Sequence, residues 1–174
     1  MPKRTESDEY YVLDLADEIL DTLASRQHRF EWLRGDFSEK RGTFSHLPVD
    51  GFYANHKLVI EYAERQHNEA ARLFDQRATV SGVSRGEQRR IYDQRRVELV
   101  PTNGLSLVVI PATAFVLKRK KIVRDWERDL GVVRAALNHA GILNWTQRAC
   151  MSLLGGEETI RRLRPVRNSR VRAR

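Results

Sequence analysis

The chain of 174 residues, 41% of them apolar, is long enough for one packed domain with a modest appendage. It is too short for two full domains and too apolar for global disorder. No run approaches the roughly 18 apolar residues that span a bilayer, residues 1–9 lack the apolar stretch of a signal peptide, and the lone Cys150 offers neither a disulfide nor a thiolate cluster. A cytoplasmic protein without membrane partners is expected. The net charge of +8 is unevenly placed: residues 159–174 hold seven arginines and no acid, and taking those seven away leaves +1 on everything before them. A terminal run of like charge is a solvated arm suited to holding polyanions, nucleic acid foremost.

Taken in order, residues 11–26 carry Val12, Leu15, Ala16, Ile19 and Leu23 at helical spacing, which predicts an amphipathic helix with one apolar stripe. At 100° per residue Asp14, Asp17 and Asp21 fall on the wet side, while Glu18 lies at the stripe's border beside Leu15 and Thr22. Such an acid is either solvated or looks into a site at the edge of the core. Residues 30–44 are less regular. Gly35-Asp36 and Arg41-Gly42 mark turns, and Phe30, Trp32 and Leu33 need cover. Three segments of strand character are expected around Thr43-Phe44, over 47–53 and over 57–62, the last bounded by Asn55-His56.

A helix over residues 85–100 opens with Ser84 and Glu87 as a capping box and is closed by Pro101 and Gly104. Ile91, Tyr92 and Leu99 form its apolar face; the same angular arithmetic places Gln88 and Arg95 on that face and Arg89 and Arg96 off it. Long polar side chains on a core-facing stripe either snorkel past the edge or reach a functional site. Residues 105–110 (LSLVVI) read as a strand buried on both faces. Beyond Pro111 come the basic cluster Lys118, Arg119, Lys120 and Lys121, then a helix marked by Val123, Trp126, Leu130, Val133 and Leu137 and ended by Gly141. A shorter helix around 144–154 and the arginine tail follow. The division expected is a core over 1–111, a helical extension over 112–158 and a tail over 159–174.

The chemistry concentrates in residues 47–67, LPVDGFYANHKLVIEYAERQH. Asp50 lies in one strand and Glu61 near the end of the next, across a short turn. Antiparallel neighbours joined in this way can aim both carboxylates at one point. Hard cations such as Mg²⁺ or Mn²⁺ take oxygen ligands so arranged, and His67 has the near-neutral titration suited to proton transfer. A carboxylate ending an apolar strand must be paired or metal-bound. The alternative partners for Glu61 are Lys57, Arg65 and Arg95. The chain has no phosphate loop, no zinc-like His/Cys spacing and no nucleophile elbow.

Asp50, the LVIEY strand and Gln66-His67 together resemble the PD-(D/E)XK nuclease superfamily. Within it, the chain is similar to the branch whose strand reads IEYDGxQH, that of the very-short-patch repair endonucleases. The resemblance covers roughly residues 47–110. It implies an α/β, restriction-endonuclease-like core in the order helix, three strands, helix, strand, with the C-terminal helices and basic tail as additions. It also implies metal ligation by Asp50 and Glu61, a catalytic part for Gln66 and His67, and a contribution from the first helix through Glu18. The chain departs from the pattern at Ala63, where the superfamily usually has a lysine that stabilises charge at the phosphate, and at Ala63-Glu64, where the branch reads Asp-Gly. The function expected is Mg²⁺-dependent hydrolysis of DNA phosphodiester bonds, with Gln88 and Arg95 near the scissile phosphate. Lys118, Arg119, Lys120, Lys121, Arg161, Arg162 and Arg164 would hold the DNA backbone, and a homodimer or larger complex would serve cleavage of both strands. The alternative is a nuclease-fold module that has lost cleavage and binds nucleic acid or a partner protein.

Overall fold

The computed structural model describes residues 7–39, 41–64 and 83–143. Helix α1 (Asp8–Leu20) starts at Ser7, whose Oγ accepts from Tyr10 N–H at 3.2 Å, with Asp8 and Glu9 in the first turn where the helix dipole favours acids. It ends well short of residue 26, because Asp17 turns inward. Its carboxylate accepts from Ala24 N–H at 3.0 Å, Tyr53 Oη at 2.7 Å and Arg26 Nη2 at 2.6 Å. A side chain that satisfies the backbone beyond its own helix competes with further helical turns. Asp17 is therefore buried rather than on the wet side, and Leu23 is 83% exposed rather than part of the stripe.

Strand β1 (Ser25–Ser38) is the main element the sequence pattern did not yield. It pairs antiparallel with β2 (Thr43–Tyr53), which joins into one strand the two segments expected around 43–44 and 47–53. Gly35-Asp36 lies inside β1, not at a turn. A Cβ on Gly35 would stand 2.6 Å from Ser45 Oγ and 3.0 Å from a Leu47 methyl, so this glycine serves close approach. A single 3₁₀ turn (Ala54–His56) leads to β3 (Leu58–Ala63), antiparallel to β2. Helix α2 (Arg85–Thr102) then crosses to β4 (Ser106–Pro111), which pairs parallel with β3. Ser84 Oγ caps α2 by accepting from Glu87 N–H at 3.2 Å. Pro101 lies within the last turn, one residue short of the end.

The fold is thus mixed α/β, and among the described residues it has a four-stranded mixed sheet in the order β1-β2-β3-β4 and three helices. Up to β4 the order is helix, three strands, helix, strand. A two-stranded hairpin of β5 (Leu117–Lys118) and β6 (Lys121–Ile122) precedes α3 (Trp126–His139).

Successive side chains of a strand face opposite sides, and β3 divides the interior accordingly. Leu58, Ile60 and Tyr62 join α1, α3, Val108 and Ile110 in the larger apolar cluster. Val59 joins Leu33, Leu47, Val49 and Val100 of α2 in the smaller one. Because Val133 and Leu137 lie in the same cluster as α1, helix α3 shares the core of the sheet. The expectation for residues 105–110 needs correction: among the described residues β4 lies at the edge of the sheet, and Val109 is 46% exposed. Among the described residues no helix is long and apolar enough to cross a membrane.

Candidate active site

Asp50 and Glu61 meet, and the sheet accounts for it. Gly51 pairs with Ile60, so Asp50 and Glu61 are the next residues along their strands. The pair is laced crosswise: Tyr62 N–H donates to Asp50 Oδ2 at 2.8 Å, and Asp50 N–H donates to Glu61 Oε1 at 3.3 Å. Glu61 is on the α2 side of β3, opposite the larger core, and there it faces Arg96, whose Nε stands 3.6 Å from Glu61 Oε1. Arg96 is fixed independently, donating through Nε and Nη2 to the Pro48 carbonyl at 3.2 and 3.1 Å and through Nη1 to Asp93 at 3.0 Å. Pro48 lies where β2 has no ladder partner on its β3 side, a position that tolerates proline.

Two further residues complete the cluster. Gln27, in β1 across from Asp50, donates through Nε2 to Asp50 Oδ1 at 3.5 Å and to Glu9 Oε1 of α1 at 2.7 Å. The site therefore draws on α1 and all but the last strand and helix of the main fold.

Electrostatically the acids are strained. Burial pushes the Asp50 carboxyl up to about 6, with Glu9 and Glu64 adding to the rise and the Tyr62 N–H and Arg96 opposing it. Burial and the Asp50 charge push Glu61 up to about 8, against the pull of Arg96 and the Asp50 N–H. Desolvation thus outweighs one guanidinium held at 3.6 Å. A partly buried carboxylate pair of this kind gains from a cation nearer than Arg96. The donors are hard oxygens, which suits Mg²⁺ or Mn²⁺, and Mg²⁺ commonly takes only one or two carboxylates and keeps several waters. Among the described residues no group of three or more His, Cys, Asp or Glu is arranged to hold a metal.

The other expected residues are dispersed. Glu18 is turned away from the pair and accepts from Trp126 Nε1 of α3 at 3.0 Å. The acid that α1 brings toward Asp50 is instead Glu9, about two and a half turns earlier. Gln88 and Arg95 both face the sheet as expected, but they bind Asp36 of β1, at 3.2 and 2.9 Å, together with Tyr92 Oη at 3.0 Å. They clamp α2 onto β1. Arg96, placed off that face by the angular arithmetic, is the helix residue that reaches the acids. Lys118, Arg119, Lys120 and Lys121 are exposed at the β5–β6 hairpin. Arg119 and Lys120 sit in the left-handed region at the turn, and Lys121 pairs with buried Asp8 at 3.7 Å. Gln66, His67, Arg161, Arg162 and Arg164 lie outside the described residues.

Arg96, Glu9 and Gln27 are the members that sequence reasoning missed. Arg96 was detectable as one of a pair of adjacent arginines on a helix that must cover a strand ending in an acid. Glu9 and Gln27 had no signal, because both depend on β1. Set against models of known protein families, curated proteins and solved structures, the chain matches none of them.

Proposed function

We propose that the chain is a metal-dependent endonuclease that hydrolyses DNA phosphodiester bonds on a restriction-endonuclease-like core. The observation that carries the reading is the Asp50–Glu61 pair: two partly buried carboxylates on adjacent strands, Glu61 held by the Asp50 N–H and Asp50 by the Tyr62 N–H, with a cationic side chain beside them. The order helix, three strands, helix, strand with a parallel last pair supports it, as does the resemblance of Asp50, LVIEY and Gln66-His67 to the PD-(D/E)XK nucleases.

In this reading Asp50 and Glu61 hold one divalent cation. Such a cation, when bound, would supply polarisation of a phosphoryl oxygen and a water activated for attack. Arg96 takes the part that Ala63 leaves open. Its guanidinium reaches the acids from α2 rather than from β3, and held on the Pro48 carbonyl it offers a preorganised positive charge to the reacting phosphate. His67 moves the proton. The exposed cations of the β5–β6 hairpin and the arginine-rich residues 159–174 grip the DNA backbone without reading sequence. A homodimer would supply two such sites to a duplex.

The test is incubation of supercoiled plasmid with the purified protein and Mg²⁺ or Mn²⁺. Nicking is expected with the native chain and absent with Glu61→Ala, Asp50→Ala or chelator. Arg96→Ala is expected to lower the rate about 10²–10³-fold, the size of one preorganised charge donor. Cleavage that survives Asp50→Ala overturns the assignment.

A second reading is favoured by the Arg96–Glu61 pairing and by Ala63: a module that binds nucleic acid without cutting it. It requires salt-sensitive binding that persists in chelator and after Glu61→Ala, with no nicking under any metal.

A further inference from the structure

Gln27 has a backbone conformation unusual within a strand. In the β1–β2 ladder Arg26 pairs with Gly51 and His28 with Val49, which sets Gln27 across from Asp50. Its φ is +52°, in the left-handed region that residues with a Cβ other than Asn and Asp rarely enter, and here it occurs within a strand. The flanks hold it there. Arg26 is tied to α1 by Asp14 at 2.7 Å, Asp17 at 2.6 Å and the Tyr10 carbonyl at 3.2 Å. His28 is tied by Ser25 Oγ at 3.0 Å and lies against Phe30 and Phe52. A strained residue persists when its surroundings over-determine it, and such residues gather at functional sites.

What the conformation yields is the placement of one amide between two acids. Nε2 is 2.7 Å from Glu9 Oε1 and 3.5 Å from Asp50 Oδ1. The nitrogen must face both, since its two hydrogens serve two carboxylates whereas the amide oxygen would repel them. With Tyr62 N–H on Oδ2, both oxygens of Asp50 are engaged and the plane of the carboxylate is set. Arg26 draws the start of β1 against α1, and this draws Glu9 to the same amide.

Resting on the reading of Asp50 and Glu61 as the metal-holding pair, we infer that Gln27 is a positioning residue: its amide orients the Asp50 carboxylate and ties Glu9 of α1 to the site. Hydrogen bonds to a ligating carboxylate set its direction and basicity, so the effect falls on metal affinity before it falls on the fold.

Two measurements on the full chain test this: Mn²⁺ binding by titration calorimetry, and thermal unfolding in chelator. Gln27→Gly removes the amide and also relieves the backbone at φ +52°. Its Tm is expected to equal or exceed that of the native chain while its Mn²⁺ affinity falls about 10–100-fold. A purely structural Gln27 would not separate the two readouts in this way. Glu9→Ala, Gln27→Ala and their double variant form a cycle, and the Tm shifts of the single substitutions are expected not to add, because each breaks the same bond. Mn²⁺ affinity of Gln27→Gly within about twofold of native, against that expected loss, overturns the inference, and so do additive Tm shifts. If the native chain itself takes up no Mn²⁺ and the cycle is still non-additive, the metal reading falls while the tie between Gln27 and Glu9 stands.

Discussion

The two sides of the sheet handle buried acids in opposite ways. On the α1–α3 side, Asp129 is fully buried, yet its carboxyl is held below the usual range. Burial would raise it, but Arg128 Nε at 2.9 Å, the Asp125 N–H at 3.0 Å and Tyr11 Oη at 2.9 Å together outweigh that cost. On the α2 side, Glu61 keeps 16% of its side chain exposed and is nonetheless pushed up to about 8. The difference is the supply of donors among the described residues: three close ones for Asp129, against one backbone N–H at 3.3 Å and one guanidinium at 3.6 Å for Glu61, with Asp50 beside it. Depth of burial therefore does not mark a site; an acid left short of donors does.

Removing the well-supplied acid should have the largest effect on stability. Asp129→Ala strands Tyr11 Oη and the Asp125 N–H and is expected to cost about 2–4 kcal/mol, roughly 5–15 °C in Tm by thermal unfolding. A shift near zero would show that the network contributes nothing net. Removing the poorly supplied acid should act in reverse. Glu61→Gln abolishes a buried charge, so near pH 8 in chelator its Tm is expected to rise by about 2–4 °C, which corresponds to roughly 1 kcal/mol in a chain of this size. The same substitution should eliminate nicking. A lower Tm would mean that the Arg96 pair outweighs desolvation.

The pH dependence sharpens the contrast. The folded chain keeps the Glu61 proton up to about 8, whereas the unfolded chain releases it near 4.5. The folded state thus binds more protons across that window, and its stability falls as pH rises through it. Asp50, raised from 3.8 to about 6, acts in the same direction over the lower part. Denaturant midpoints from pH 4.5 to 8 should decline for the native chain and flatten for Glu61→Gln. Asp129, with its depressed pKa, contributes stability that is present above the ordinary carboxylate range and lost only in stronger acid. The smallest expected effect is at the start of α2, the helix that covers the site side: Ser84→Ala should cost about 1 kcal/mol, roughly 2–4 °C, by removing the cap on Glu87 N–H.

The sequence pattern was legible where one residue's surroundings are local. The Ser84 cap, the β3 strand and the juxtaposition of Asp50 and Glu61 across a short turn all follow from neighbours in the chain. It failed where distant segments decide. His28, Phe30 and Trp32 do alternate with polar residues, but Gly35-Asp36 inside β1 imitates a turn, and only the packing of Ser45 and Leu47 against Gly35 shows why glycine is there. Asp17 looked like a wet-face acid because Tyr53 and Arg26, which bury it, come from two later strands. Arg96 was placed off the core face because an ideal 100° wheel ignores the reach of a long side chain at the edge of the stripe. Glu9 was passed over in favour of Glu18 because only β1, through Gln27, distinguishes them.

The pairing pattern also sets an order of assembly. Strands β2 and β3 close through the turn at Ala54–His56, a short and entropically cheap loop, whereas β3 meets β4 only after the whole of α2 has been laid across. Asp50 and Glu61 belong to the first event and Arg96 to the second. During folding the two carboxylates are brought side by side before their counter-charge arrives.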